Sequence, residues 1–86
     1  MSYRLDFSRT AIRGITQLHP QANQRLKDRI LALADDPKPP SSLQLAGQPA
    51  GSRRLRVGNY RVLYQVDEEA RVVTIMKVGP RGTVYS

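Results

Sequence analysis

The chain has 86 residues and no cysteine, which allows one small domain and excludes a disulfide framework or a thiolate metal site. Its net charge is +7, with eleven arginines to three lysines, so the field favours acidic partners and speeds their encounter. Charge alone does not separate an RNA-binding surface from a basic, solvated one. The opening MSYRLDF lacks the apolar run of a signal peptide, and no apolar stretch is long enough to span a bilayer. Together with the missing cysteines, this suits a reducing cytoplasm.

Tyr3–Phe7 alternates as a short first strand. Ser8 is a helix cap, and Ala11, Ile12, Ile15 and Leu18 recur at helical spacing, so a first amphipathic helix is expected over Ser8–Leu18, weakened by Gly14. His19-Pro20 breaks it and starts a second helix, with His19 as a cap or turn residue and Pro20 in the first turn. Leu26, Ile30, Leu33 and Ala34 form the apolar stripe of that second helix, which Asp35-Asp36-Pro37 ends. So short a break predicts an antiparallel helical hairpin. Lys38–Gly51, rich in Pro, Ser, Gln and Gly, is expected to be irregular and pinned to the core by Leu43 and Leu45. Arg53–Val57, Tyr60–Val66 and Val72–Val78 then read as three strands. Gly58-Asn59 is a two-residue hairpin signal, and Asp67–Arg71 is an acidic turn.

Strand parity sorts the side chains. Arg54 and Arg56 share one face and Arg53 takes the other. Arg61, Leu63 and Gln65 share a face, opposite Tyr60, Val62, Tyr64 and Val66, so the two tyrosines read as core. Across the hairpin, Arg56 and Arg61 are expected to stand opposite each other. Like charges placed this way are unfavourable unless an anion lies between them, which makes this pair a candidate phosphate site. The facing of Lys77 is left open. No phosphate-cradling glycine loop, zinc site or Ser-His-Asp set is present.

RLRVGNYRVLYQVDEE, VVTIMKVG and the closing Pro80-Arg81-Gly82-Thr83-Val84-Tyr85, with weaker support from Leu45-Ala46-Gly47, resemble the RelE/ParE superfamily of bacterial and archaeal toxins. The resemblance covers nearly the whole chain. It implies a single α+β domain: an N-terminal strand, a two-helix antiparallel hairpin and a three-stranded antiparallel meander in one small twisted sheet. It further implies the toxin of a type II toxin–antitoxin system. RelE-type members cleave mRNA in the ribosomal A site by attack of the ribose 2′-hydroxyl, without metal or other cofactor, and so inhibit translation. The implied partners are the ribosome, mRNA and a cognate acidic antitoxin wrapped around the basic sheet and helices, with no membrane and no small-molecule cofactor.

Carried over position by position, the family's active-site arginine in the Tyr-Arg-Val-x-Tyr strand falls on Arg61. The arginine after the Val-Gly strand end falls on Arg81, and the C-terminal aromatic on Tyr85. The second strand's basic residues fall on Arg54 and Arg56. Fixed guanidinium donors suit the charge that builds on a phosphorane, which gives Arg61 and Arg54 their roles. Arg81 is suited to the leaving oxygen or the phosphate, and Tyr85 to base stacking or proton transfer. Arg53, Arg56 and Lys77 are candidate RNA contacts. RelE-type enzymes commonly carry lysines on the second strand, one a candidate proton acceptor. Here Ser52, Arg54 and Arg56 stand there, and arginine cannot accept that proton. Lys77, Tyr85 or the ribosome remain for that role, or the base is absent. Gly79-Pro80-Arg81 also departs from the relatives' polar or basic residue before the arginine, and with no helix after Tyr85 the site is expected to open on one side. Two other readings share the fold: a ParE-type inhibitor of DNA gyrase, and a weakened toxin that only binds antitoxin.

Overall fold

The computed structural model describes residues 2–80. Arg81 and Tyr85 therefore lie outside the described residues. The elements run β1 (Arg4–Phe7), α1 (Arg9–Thr16), α2 (Pro20–Ala32), β2 (Ser42–Gln44), β3 (Ser52–Val57), β4 (Tyr60–Asp67) and β5 (Val72–Pro80). The strands form one five-stranded sheet in the order β1-β5-β4-β3-β2. β1 runs parallel to β5, and the other neighbours are antiparallel.

Each helix starts for a local reason. Ser8 Oγ accepts the Ala11 N–H at 3.0 Å and caps α1. His19 Nδ1 accepts the Gln21 N–H at 3.3 Å ahead of Pro20, and so caps α2. The helices lie on one face of the sheet. Ala11, Leu26, Ile30 and Leu33 close over Leu55, Val57, Val62, Tyr64, Val73, Ile75 and Val78, all buried. The Tyr64 hydroxyl donates to the Pro37 carbonyl at 2.7 Å, so the core contains a phenol whose polar end is satisfied. Gly14 does more than weaken α1. A methyl group there would stand 2.2 Å from the Val78 carbonyl oxygen, so α1 touches the β5 backbone at this point.

Three expectations change. The segment after α2 contains a strand: Ser42–Gln44 pairs with Arg53–Leu55 and gives the sheet a fifth member. Leu43 does not pin that segment, being 55% exposed. The buried residue is Ser42, whose hydroxyl donates to the Pro39 carbonyl and accepts from Arg53. Ile12, placed on the apolar stripe by spacing, faces outward at 51% exposure, while Ile15 and Leu18 pack on the core.

The β3–β4 hairpin turns at Gly58, with φ +59, while Asn59 keeps a negative φ. Only the first central residue is left-handed, the pattern of a type II′ turn. One irregularity interrupts β4–β5. Leu63 pairs with Lys77 but Tyr64 pairs with Ile75, which leaves Met76 as an extra residue in β5, a β-bulge.

Candidate nucleic-acid interface

Residues paired across a sheet share a face. Leu55, Val62 and Val78 are paired in register and lie under the helices. The alternate rows therefore lie on the face away from the helices. One row is Arg56, Arg61 and Gly79; the next is Arg54, Leu63 and Lys77; a third is Ser52, Gln65 and Thr74. The opposition of Arg56 and Arg61 expected from the hairpin is present. Lys77, whose facing the sequence left open, joins the same face because of the bulge. Four cations thus come from three strands onto two adjacent rows, about 7 Å apart along the strands.

Arg61 is the unusual member. Its side chain is only 5% exposed, and its Nε is buried without a hydrogen-bond partner. Nη1 donates to the carbonyl of neighbouring Tyr60 at a long 3.3 Å. No carboxylate among the described residues pairs with it. A buried charge in that condition is costly, by several kcal/mol in general. Arg56 opposite is exposed, whereas Arg54, Leu63 and Lys77 are half-buried. Gly79, next to Arg61 on β5, brings no side chain to the row.

Arg53 does not join the cluster. It pairs with Tyr64, on the other face, and donates from Nε and Nη2 to Ser42 Oγ at 3.2 and 2.9 Å. Leu63 is the residue of this face that its apolar character hides in the sequence. It stands between Arg54 and Lys77 and offers apolar surface amid the charges, and its parity with Arg61 was the available signal.

The ion pairs among the described residues lie elsewhere. At the far end of the sheet, Glu68 Oε2 accepts the Tyr3 hydroxyl at 2.6 Å, and Glu68 Oε1 meets Lys38 Nζ at 3.0 Å. The guanidinium of Arg71 sits 4.5 Å above the Tyr3 ring. The Tyr3 hydrogen bond, followed by that of Lys38, holds the Glu68 carboxyl below its ordinary range. Accepting that hydrogen bond, Glu68 in turn pushes the Tyr3 phenol up. Acids thus gather at the β4–β5 turn together with Lys38 and Arg71, whereas the two rows toward the β3–β4 turn carry cations and no acid. Among the described residues no helix is long and apolar enough to cross a membrane.

Comparison with known proteins agrees with this architecture. Residues 5–85 match the family model described as the ParE toxin of the type II toxin–antitoxin system parDE. The chain is 33% identical over 89 residues to the mRNA interferase toxin RelE of Escherichia coli, covering all of this chain and 93% of that protein. It is 31% identical over 87 residues to toxin RelG of Mycobacterium tuberculosis, covering 99% and 98%. Among solved structures, the RelBE2 toxin–antitoxin complex of M. tuberculosis superposes with a TM-score of 0.83 at 29% identity, covering 94% of this chain and all of that one. A double arginine-to-alanine mutant of E. coli RelE in the free state gives 0.80 at 28% identity, covering 99% and 92%. The chain belongs to the RelE/ParE toxin superfamily of type II toxin–antitoxin systems.

Proposed function

We propose that this chain is a ribosome-dependent, metal-independent endoribonuclease that cleaves mRNA in the A site and is silenced by an acidic antitoxin. The observation that carries the reading is Arg61. A guanidinium this buried, lacking a described carboxylate partner and facing a second arginine, is built to receive an anion. The phosphodiester of RNA is that anion, and the kinship to mRNA interferases supports the choice.

In the reaction, the 2′-oxygen forms a bond to phosphorus as the bond from phosphorus to the 5′-oxygen breaks. The 2′-hydroxyl proton passes to a base, and the departing 5′-oxygen takes up a proton. The products are a 2′,3′-cyclic phosphate and a free 5′-hydroxyl. Negative charge grows on the non-bridging oxygens, where Arg61 acts as a preorganised donor with Arg54 beside it. Arg56 and Lys77 hold the flanking backbone. Arg81 and Tyr85 are assigned to the leaving oxygen and to the base or proton. Arg53, on the opposite face, is left a peripheral part in drawing RNA toward the protein.

The experiment is expression of the chain without antitoxin, followed by mapping of 5′ ends of cellular mRNA. New 5′-hydroxyl ends within translated codons, lost in Arg61→Ala while that variant still binds antitoxin, are the expected result. DNA breakage with intact mRNA overturns the reading in favour of gyrase inhibition, in keeping with the matching family model's name. Normal growth with intact mRNA and intact DNA overturns it in favour of a toxin that only binds antitoxin.

A further inference from the structure

We propose that Ser8 is a positioning residue for Lys77: its hydroxyl clasps the bulged carbonyl of Met76 and so holds Lys77 on the face of Arg54 and Arg61. The inference rests on the reading of that face as the RNA site and goes beyond it, because Ser8 lies outside the site.

Successive carbonyls of a regular strand point to opposite sides. In β5 two successive carbonyls reach the same residue. The Ser8 N–H donates to the Ile75 carbonyl at 2.9 Å, and Ser8 Oγ donates to the Met76 carbonyl at 2.7 Å. Only the bulge allows that convergence. The same Oγ accepts the Ala11 N–H at 3.0 Å, and the Ser8 carbonyl accepts the Ile12 N–H at 3.0 Å. Every polar group of Ser8 is therefore committed, half to starting α1 and half to holding the bulge.

The consequence for the site follows from parity. With the extra residue, Ile75 and Val78 both turn to the core and Lys77 pairs with Leu63. A ladder continued from Tyr64–Ile75 without it sets Met76 opposite Leu63 and Lys77 opposite Val62, on the helix-covered side. Burial of both Ile75 and Val78 requires one extra residue between them, but apolarity alone does not decide whether that residue is Met76 or Lys77. The Ser8 hydroxyl supplies the specification.

The test uses binding of the full-length chain to a short, fluorescein-labelled oligouridylate, measured across a range of salt concentrations. Each phosphate contact on single-stranded nucleic acid contributes about 0.7 to the slope of log affinity against log salt. Lys77→Ala is expected to lower the slope by about that amount. Ser8→Gly removes the hydroxyl while glycine still serves as a helix cap, and it is expected to lower the slope equally. The double variant loses no more than either single, and Ser8→Thr restores the wild-type value. In nuclear magnetic resonance spectra of Ser8→Gly, Leu63 is expected to contact Met76 in place of Lys77. A wild-type slope in Ser8→Gly, a double variant that loses both increments, or a slope that Lys77→Ala leaves unmoved overturns the proposal. Cleavage is not the readout, so a chain that binds RNA without cutting mRNA refutes the nuclease reading and leaves this result standing.

Discussion

Gly14→Ala sets two effects of opposite sign against each other. In an isolated helix the change is favourable by about 1 kcal/mol, since glycine is a poor helix former. Here the added methyl carbon stands 2.2 Å from the Val78 carbonyl oxygen and 3.2 Å from its carbon. Relief to van der Waals contact needs a separation of about 1 Å. The obstacle is backbone, in a strand that β4 pairs at Val78 and β1 flanks as far as Ile75, so no side-chain rotation provides it. Overpacking of this kind costs about 1–3 kcal/mol, and an immovable neighbour puts it in the upper half of that range. After the propensity gain, the net is a loss of about 1–2 kcal/mol. For a domain of this size that lowers Tm by roughly 5–15 °C. Circular dichroism through a thermal melt, with urea midpoints as a second measure, reads it directly. An alanine variant as stable as the wild type or more so refutes the close contact between α1 and β5.

Arg61→Met is expected to separate function from stability. Removing a buried charge that no described carboxylate pairs with raises Tm, while loss of the anion donor lowers mRNA cleavage by about 10²–10³-fold. A lower Tm, by thermal melt, indicates a structural role instead. Gly51→Ala is expected to lose more stability than Gly47→Ala. Both positions have a left-handed φ, +84 and +74, but only at Gly51 does a methyl group meet backbone, 2.4 Å from the Val66 carbonyl oxygen. Urea midpoints of the two variants decide it, and equal losses refute the contact. The Tyr3–Glu68 pair makes stability fall at both pH extremes. The Glu68 share is complete above its ordinary value of 4.5 and is lost as pH falls through its lowered native value. The Tyr3 share is complete below 10.0 and is lost as pH rises through its raised native value. Tyr3→Phe abolishes the alkaline loss and shrinks the acidic one, leaving the part that Lys38 and Arg71 supply. Tm measured across pH checks this, and an unchanged profile sinks it.

The parts legible in the sequence are those with a local cause. Gly58-Asn59 announces the hairpin, and a two-residue turn fixes register, so the opposition of Arg56 and Arg61 follows by counting. The burial of Val62, Tyr64 and Val66 follows from alternation in the same way. The misread parts are those where a distant contact overrides a local signal. Around β2 the hydrophobic sign is inverted: Ser42 is buried because Pro39 and Arg53 satisfy its hydroxyl, and Leu43 is left outside. The parallel pairing of β1 with β5 joins segments at opposite ends of the chain and leaves no mark in either. Gly14 reads locally as a flaw in a helix, and only the β5 backbone beneath it shows why the residue is small. Lys77 is the instructive case. Alternation through Val73 and Ile75 continues to Lys77 as an inward residue, while its charge argues outward. The bulge removes the conflict, and a bulge has no signature in Thr-Ile-Met-Lys-Val.

The two faces of this sheet make different demands on one set of strands. The helix side needs apolar residues at every inward position, and alternation delivers them through Val73 and Ile75. The other side, on the RNA-cleaving function proposed above, needs cations gathered near one phosphate, and strict alternation gives that side Met76 where it needs Lys77. A single inserted residue satisfies both demands, because it turns Ile75 and Val78 inward and Lys77 outward on the same strand. Arg61 shows the cost of the arrangement. Its neighbours across the sheet are Arg56 and Gly79, neither able to neutralise it, while Glu68 is tied to Tyr3 and Lys38 at the far end. A small domain has little stability to spare for a buried charge in that state. Its retention is understandable if the compensation arrives with the ligand, since whatever binds the native state and not the unfolded chain stabilises it by mass action.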